Sequence, residues 1–197
     1  MYNTNDWKGI FLNDLAIKYN FNRYLELGIA QGETWNNVNC KMKEGVDSNP
    51  SVLFDNVVIS TIDDYFKNLS EDRKFDLVFI DACHEKHHVK NDFLNSFKHL
   101  SDNGIIVFHD INSWTEDAAR PYNSHGNCYE FWLSLVDNYE KHTFTFEGLG
   151  TVRDYVGIFF KNNLKQIDKS VFGDMEYGYE YLVNSREKYL YSRHYGI

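Results

Sequence analysis

Short apolar segments alternate with helical patterns along most of this 197-residue chain. The clearest of them is residues 75–80, FDLVFI, an almost continuous apolar run that is followed by Asp81. A strand of this kind is typical of a parallel sheet whose two faces are both covered by helices. Because strands that alternate with helices form βαβ units, the order of the segments predicts a doubly wound α/β domain.

The period of the apolar residues predicts where each element lies. Strands are expected at residues 23–27, 43–47, 57–60, 75–80, 105–108, 143–146 and 156–160, and helices at 6–19, 33–39, 62–69, 85–100 and 129–136. The last two strands come close together along the chain, which favours an antiparallel addition at the edge of the sheet. We therefore expect a Rossmann-like, seven-stranded, mostly parallel sheet with an antiparallel last strand.

The chain divides by composition into a domain and a tail. We expect residues 1–162 to form one domain with an N-terminal helix. Residues 163–197 are polar and rich in Tyr, and we expect them to pack on that domain or on a partner, such as a second copy of the chain in a homodimer. No apolar run approaches the roughly 20 residues that span a bilayer, and the N-terminus shows no secretory pattern. These features predict a cytoplasmic protein without a membrane partner.

The charge of the chain argues against a nucleic-acid partner. Lys and Arg number 20 against 29 Asp and Glu, so the net charge is −9, and the basic residues are dispersed. A protein that neutralises a phosphate backbone needs clustered basic side chains. DNA and RNA are therefore disfavoured as substrates, and the acidic balance by itself identifies no other substrate.

Glycines and acids follow the predicted strands, at the carboxyl ends where open parallel sheets bind ligands. Gly28 would let the backbone turn sharply after the first strand, and Gly32 would let the chain come close to a ligand. Their spacing is not the G-x-G-x-x-G of dinucleotide sites, which disfavours a nicotinamide enzyme. Asp47 ends the second strand, where an acid can hydrogen-bond both hydroxyls of a ribose. Together they predict a nucleoside-bearing ligand without a pyrophosphate.

Four segments, LELGIAQG, GVDSNP, FDLVFIDACH and SDNGIIVFHD, resemble successive motifs of the class I S-adenosylmethionine-dependent methyltransferases. The similarity spans roughly residues 23–161 and is closest to the small-molecule and sugar O-methyltransferase branch (methyltransferase domain family 24). The resemblance implies transfer of a methyl group from S-adenosylmethionine to a hydroxyl of a small molecule, sugar or glycan. It also implies the cofactor-binding residues, which are Glu26, Gly28 and Gly32 around the methionine part, Asp47 on the ribose, Ile62 on the adenine face, and Asp81.

The same resemblance assigns the chemistry to residues that follow the fourth and fifth strands. Asp81 and His84 have the spacing of a metal ligand and a base in metal-dependent sugar O-methyltransferases. His84 is the preferred base, because an unperturbed His pKa of about 6.5 suits neutral pH. The expected ligands of Mg²⁺ or another divalent cation are Asp81, His109 and Asp110. At the position of His109, the metal-dependent relatives usually have an acidic residue. Because Mg²⁺ prefers oxygen ligands, the need for a metal stays open. Asp110 could instead orient a substrate hydroxyl or His84.

Some of these assignments have alternatives. Residues 84–88, HEKHH, contain an H-E-x-x-H pattern, which on a helix would bind Zn²⁺ as in a zinc hydrolase. A methyltransferase fold could also serve as a non-catalytic binding module. Trp114, Tyr122 and Trp132 could line an acceptor pocket, since aromatic faces stack on sugars and planar molecules. Trp132 fits the core pattern of its helix at least as well.

Overall fold

The structure, a computed structural model, describes residues 6–147, 155–173 and 177–186. The strands are β1 (Arg23–Leu27), β2 (Met42–Asp47), β3 (Val57–Ile59), β4 (Phe75–Ile80), β5 (Leu100–Phe108), β6 (Thr143–Glu147) and β7 (Tyr155–Phe160). The α-helices are α1 (Trp7–Lys18), α2 (Glu33–Asn37), α3 (Ile62–Asn68), α4 (Lys86–Lys98), α5 (Cys128–Asn138) and α6 (Tyr179–Arg186). Two short 3₁₀ turns, Glu140–His142 and Lys169–Phe172, complete the described elements.

The seven strands form one sheet in the order β3-β2-β1-β4-β5-β7-β6. The first five strands pair in parallel, and β7 pairs antiparallel with both of its neighbours. The predicted fold class is therefore confirmed.

The position of β7 differs in detail from the expected addition at the edge. β7 inserts between β5 and β6, so that β6 forms the edge of the sheet. The reason lies in the two sequences. β7, YVGIFF, is apolar throughout and buried along nearly its whole length, whereas β6, TFTFE, alternates apolar and polar residues. An alternating strand suits an edge, and a continuously apolar one suits the interior of a sheet covered on both faces.

Two apolar cores lie on opposite faces of the sheet, as a doubly wound fold requires. Successive residues of β4 point to opposite cores, so that Val78 belongs to one core and Leu77 to the other. Helices α3, α4 and α5 cover the first core, and α1 and α2 cover the second. The site at the end of β4 is therefore held between helices from both layers.

The described part of the tail packs on the domain. Leu182 of α6 is buried in the first core, and the Tyr129 hydroxyl donates a hydrogen bond to the carbonyl of Tyr177 at 3.0 Å. Arg186 donates from Nη2 to the carbonyl of Ser113. Residues 1–5, 148–154, 174–176 and 187–197 lie outside the described residues, and the domain boundary at residue 162 stays a prediction. Among the described helices, none is both long enough and apolar enough to cross a membrane.

Candidate active site

The carboxyl ends of four neighbouring strands, β3, β2, β1 and β4, open into one cavity of about 590 Å³. Parallel strands place their carboxyl ends at the same edge of the sheet, so residues far apart in the chain meet there. Four of the six residues predicted to bind the cofactor line this cavity, namely Gly28, Asp47, Ile62 and Asp81.

Gly28 allows the turn that brings β1 and β4 together at the cavity. Its φ angle is +92°, and a Cβ atom there would lie 2.2 Å from the carbonyl oxygen of Asp81. Any other residue would strain the backbone, and its Cβ would collide with the chain directly after β4. The glycine therefore serves both the tight turn and the close approach of two chain segments beside the cavity.

Asp47 holds the glycine loop, residues 28–32, in place. Its Oδ2 accepts hydrogen bonds from the backbone N–H groups of Ile29 at 2.8 Å and Ala30 at 2.9 Å, and its Oδ1 accepts one from Asn49. Burial by itself would raise the pKa of Asp47, but these three donors outweigh it and lower that pKa. The carboxylate is thus ionised at neutral pH. Its Oδ2 already accepts two hydrogen bonds and its Oδ1 accepts one, so Oδ1 has a lone pair for another donor.

Glu26 and Gly32 do not appear in the cavity lining. Glu26 is buried on β1 and accepts a hydrogen bond from the Tyr24 hydroxyl at 2.6 Å, and burial raises its pKa to about 8. Gly32 precedes α2 with a φ angle of +76°, and a Cβ atom there would lie 2.3 Å from the ring of Phe54. The space that was expected to admit a ligand at Gly32 is therefore filled by an aromatic side chain.

Two acids and two histidines converge beyond the end of β4. The Asp81 carboxylate Oδ1 lies 3.0 Å from His109 Nδ1 and 3.3 Å from His84 Nε2. The other acid, Asp110, places Oδ2 at 3.3 Å from His109 Nδ1 and 3.5 Å from His84 Nε2. The four side chains are only 11–21% exposed. The structure thus brings together every residue predicted for catalysis or metal binding.

The orientation of His84 follows from a backbone contact. Its Nδ1 lies 3.1 Å from the carbonyl oxygen of Ser124, and a carbonyl can only accept, so Nδ1 carries the hydrogen. The lone pair of the neutral ring is then on Nε2, which faces Asp81 and Asp110. An imidazole fixed in this way is prepared to accept a proton or to bind a cation. Burial opposes charge on His84, but the two carboxylates outweigh it and raise the pKa of the ring.

Lys8 of α1 reaches the same cluster and was not found from the sequence. Its Nζ lies 3.1 Å from Asp81 Oδ2, the oxygen that the histidines do not contact. Burial would raise the pKa of Asp81, but the two histidines and Lys8 outweigh it and hold that pKa well below its usual range. The two residues are 73 positions apart, and no spacing in the sequence relates them.

Asp110 takes an unusual backbone conformation at the end of β5. Its φ angle is +55°, in the left-handed region that non-glycine residues seldom occupy. The Cys128 thiol donates to its carbonyl oxygen at 3.0 Å, and its carboxylate lies 3.7 Å from His125 Nε2. Strain of this kind is typical of functional sites, and here it directs the carboxylate back toward His84 and His109.

The donor set suits a divalent cation. One ligand atom from each of Asp81, His84, His109 and Asp110 can be chosen so that all four lie within 4.8 Å of one another. Two imidazoles with two carboxylates favour Mn²⁺, Fe²⁺ or Zn²⁺ over Mg²⁺, which prefers oxygen ligands alone. His84 therefore adds a potential ligand to the three predicted ones.

The H-E-x-x-H segment does not have the geometry of a zinc-hydrolase helix. Helix α4 begins at Lys86, and Glu85 before it has an extended backbone, so His84 lies outside the helix. Its ring faces Asp81, whereas His88 lines the cavity. The buried Glu85 carboxylate accepts a hydrogen bond from the backbone N–H of Tyr122. The two histidines thus do not share one helix face, as that motif requires.

The three aromatic residues proposed for an acceptor pocket have different surroundings. Trp132 is 1% exposed and packs in the core, where a Cβ atom at Gly157 would lie 2.6 Å from its ring. The acceptor-pocket interpretation is therefore wrong for Trp132, because β7 covers its ring. Tyr122 is 86% exposed. Trp114 is half-buried, with the Arg186 guanidinium 4.6 Å from its ring centre.

Solved structures similar to this chain share its fold at low sequence identity. An O-methyltransferase from Bacillus cereus in complex with SAH has 15% identity and a TM-score of 0.62, over 81% of this chain and 83% of that one. The O-methyltransferase TomG from Streptomyces achromogenes, in complex with SAM, has 15% identity and a TM-score of 0.59, over 78% and 79%. The SAH-bound methyltransferase PaMTH1 from Podospora anserina has 20% identity and a TM-score of 0.57, over 78% of both chains.

The sequence also matches a family model. Residues 20–111 match the model of a family described as a methyltransferase domain. Among proteins of curated function, none matches the chain. The matched segment runs from the residues before β1 to the residues that follow β5, and it includes both the glycine loop and the cluster of two acids and two histidines. The resemblance drawn from the four motifs is confirmed, because residues 20–111 match a family of methyltransferase domains.

Proposed function

We propose that this protein transfers the methyl group of S-adenosylmethionine to a hydroxyl oxygen of a small molecule, such as a sugar. The observation that carries the proposal is one continuous site at the strand ends. The cavity beside Asp47 suits a nucleoside, and its wall at Asp81 is shared with the cluster of Asp81, His84, His109 and Asp110. The solved neighbours that carry SAM or SAH, or are described as O-methyltransferases, support the same reaction.

Binding of the methyl donor is assigned to the cavity. The ionised Asp47 carboxylate accepts a hydrogen bond from a ribose hydroxyl through the lone pair of Oδ1 that the backbone donors leave unused. Ile62 lines the cavity after β3 and offers an apolar surface to the adenine. S-adenosylmethionine supplies a methyl group on a positively charged sulfur, which is already a good leaving group.

The protein must then position the acceptor and remove its proton. An aliphatic hydroxyl is a weak nucleophile while it is neutral, so a general base accelerates the reaction. We assign this role to His84, because its Nδ1–H is held by the Ser124 carbonyl and its Nε2 faces the cavity wall at Asp81. The carboxylates of Asp81 and Asp110 stabilise the imidazolium that forms.

A divalent cation fits the same cluster, held by Asp81, His109 and Asp110, with His84 as a further ligand. When bound, such a cation would lower the pKa of an acceptor hydroxyl that coordinates it. The imidazoles and carboxylates would then fix the acceptor oxygen beside the cavity. Whether His84 acts as base or as ligand depends on whether the cation is needed for turnover.

Calorimetric titration with S-adenosylhomocysteine, with and without Mg²⁺ or Mn²⁺, tests the proposal. We expect saturable binding in both conditions. Protein loaded with methyl-labelled S-adenosylmethionine should then transfer label to members of a panel of sugars and phenols. Absence of S-adenosylhomocysteine binding in every condition would overturn the proposed function, and binding without label transfer to any acceptor would favour a non-catalytic binding module.

A further inference from the structure

The tail of the chain contributes an arginine whose charge no acid of the described structure balances. Three of the four described arginines form an ion pair with an acid, namely Arg23, Arg73 and Arg120. Arg186, at the end of α6, forms no such pair within the part of the chain that the structure describes. In a protein of net charge −9, this guanidinium is therefore a local site of unbalanced positive charge.

Neutral groups hold the Arg186 guanidinium in a fixed orientation. Its Nε donates to Asn112 Oδ1 at 3.1 Å, and its Nη2 donates to the Ser113 carbonyl at 2.6 Å and to the Tyr179 hydroxyl at 3.3 Å. Its Cζ lies 4.6 Å from the ring centre of Trp114. The guanidinium has five N–H groups, and the two on Nη1 make no hydrogen bond within the described residues. Because the side chain is only half-buried, Nη1 can donate to a ligand.

Arg186 lies at the same edge of the sheet as the candidate active site. Its partner Asn112 follows Asp110 by two residues, so the Cα atoms of these two residues are at most about 7 Å apart. Trp114, beneath the guanidinium, packs on Tyr155 with 5.9 Å between ring centres. Tyr155 begins β7, which runs antiparallel to β5 and thus starts beside the carboxyl end of β5. A small molecule can therefore contact both Arg186 and the active-site cluster.

The order of the strands places that cluster between the cavity and Arg186. The cavity lies beyond β3, β2, β1 and β4, the two acids and two histidines lie beyond β4 and β5, and Arg186 lies beyond β5 and β7. In methyl transfer, the acceptor oxygen attacks the methyl carbon from the side opposite the sulfur. With the methyl donor in the cavity, the acceptor approaches from the side on which Arg186 lies.

We propose that Arg186 binds an anionic group of the acceptor, a carboxylate or a phosphate, so that the enzyme methylates acidic rather than neutral hydroxyl compounds. This inference rests on the proposed function and narrows its class of acceptor. Guanidinium N–H groups form short, charge-assisted hydrogen bonds with carboxylate and phosphate oxygens. Such an acceptor is held at two points, with its anionic group at Arg186 and its hydroxyl at His84, which orients it for reaction.

The bonds that change remain those of the proposed reaction. The bond between the methyl carbon and the sulfur breaks, and a bond between that carbon and the hydroxyl oxygen forms. The hydroxyl proton goes to His84, and S-adenosylhomocysteine leaves. The anionic group on Arg186 takes part only in binding, so its effect is expected in the affinity for the acceptor.

The test uses acceptors that differ in one group, namely glucose with glucuronate and glucose 6-phosphate, and catechol with protocatechuate. Their binding to the full chain loaded with S-adenosylhomocysteine is measured by calorimetry, and their methylation is measured with methyl-labelled donor. We expect the anionic member of a set to bind about 10- to 100-fold more tightly than its neutral counterpart, the scale of hydrogen bonds to a charged group. The comparison of glucuronate with glucose 6-phosphate separates a carboxylate from a phosphate as the preferred group.

Three variants separate anion binding from a purely structural contact of α6. Arg186→Gln removes the charge and should bring the anionic and neutral affinities to within about threefold, with the affinity for S-adenosylhomocysteine unchanged. Arg186→Lys keeps the charge without the planar donors and should keep part of the preference. Arg120→Gln is the matched control, since Arg120 is exposed in the loop between β5 and α5, and it should keep the wild-type ratio. Loss of a structural contact alone would lower the melting temperature and leave the ratio unchanged.

The wild-type protein alone can overturn the proposal, whether or not the variants fold. If it binds S-adenosylhomocysteine but binds anionic and neutral acceptors equally, or binds no anionic acceptor, the role of Arg186 is excluded while the proposed function stands. The same conclusion follows if Arg186→Gln, shown to be folded by a melting curve, keeps the wild-type ratio. If the wild-type protein does not bind S-adenosylhomocysteine, the proposed function and the role of Arg186 are both excluded.

Discussion

Lys8 of the first helix and Asp81 at the end of β4 form an ion pair with 3.1 Å between Nζ and Oδ2. This contact ties α1, which covers one face of the sheet, to the residue on which the candidate active site is centred. The other oxygen of Asp81 faces two histidines. A divalent cation that binds Asp81 would therefore compete with the Lys8 ammonium group for this carboxylate.

Removal of Lys8 should strengthen the binding of a divalent cation. Lys8→Met keeps the apolar stem and removes the positive charge, so Asp81 Oδ2 is released for a metal. We expect the affinity for Mn²⁺ to rise about 5- to 50-fold, as measured by calorimetry, because a like charge beside the site is removed. Lys18→Met, at an exposed lysine at the end of the same helix, should leave Mn²⁺ affinity unchanged. Weaker Mn²⁺ binding in Lys8→Met would contradict the prediction that Lys8 opposes the binding of a cation at Asp81.

Asp47→Ala should weaken the binding of S-adenosylhomocysteine by about 1–3 kcal/mol, the scale of hydrogen bonds lost to a charged group. The loss of its three backbone contacts should also lower the melting temperature of the unliganded protein. Calorimetry and thermal unfolding measure the two effects separately. Asp55→Ala, at an exposed acid in the loop that follows β2, serves as the control and should change neither. Unchanged affinity in Asp47→Ala would place the ribose elsewhere.

His84→Ala should slow methyl transfer by about 10²–10⁴-fold and leave the binding of S-adenosylhomocysteine intact, if His84 is the general base. The base must be neutral, and the pKa of His84 is raised, so transfer without added metal should increase with pH through a midpoint above about 6.5. Rates measured with labelled donor between pH 5 and 9 check both points. The matched control is His87→Ala, at an exposed histidine one residue into α4. Equal turnover in His84→Ala and the wild-type protein would exclude His84 as the base.

Asp92→Asn should stabilise the unliganded protein at alkaline pH. The folded pKa of Asp92 is raised to about 7, so the folded state holds its proton more tightly than the unfolded chain does. The free-energy cost of burying the ionised Asp92 carboxylate in the folded state is therefore absent below about pH 4. It grows as the pH rises and is complete above about pH 7. We expect urea unfolding to give a gain of about 2–4 kcal/mol at pH 8 and no gain at pH 4. Asp63→Asn, at an exposed acid of α3, should give a much smaller gain.

The sequence alone predicted the sheet and most of the site. The apolar run of β4 and the alternation of strands with helices were sufficient for the fold class, because these patterns follow from burial on two faces. Gly28, Asp47, Asp81 and Asp110 were found because they follow strands, and the carboxyl ends of parallel strands share one edge. A local pattern, a polar residue or glycine at the end of a strand, could therefore identify residues that are distant in the chain but meet in the fold.

Only the tertiary structure decided the contacts that depend on how the helices pack. Lys8 lies 73 residues before Asp81, and nothing in either segment relates the two. The sequence of α4 gives Asp92 the look of an ordinary polar residue of an amphipathic helix, and only the packing of α4 shows that it is buried. In the same way, Phe54 fills the space beside Gly32, and β7 covers Trp132. The sequence pattern determines which face of an element is buried, whereas the identity of the neighbour that meets each side chain depends on the angles and distances at which the elements pack.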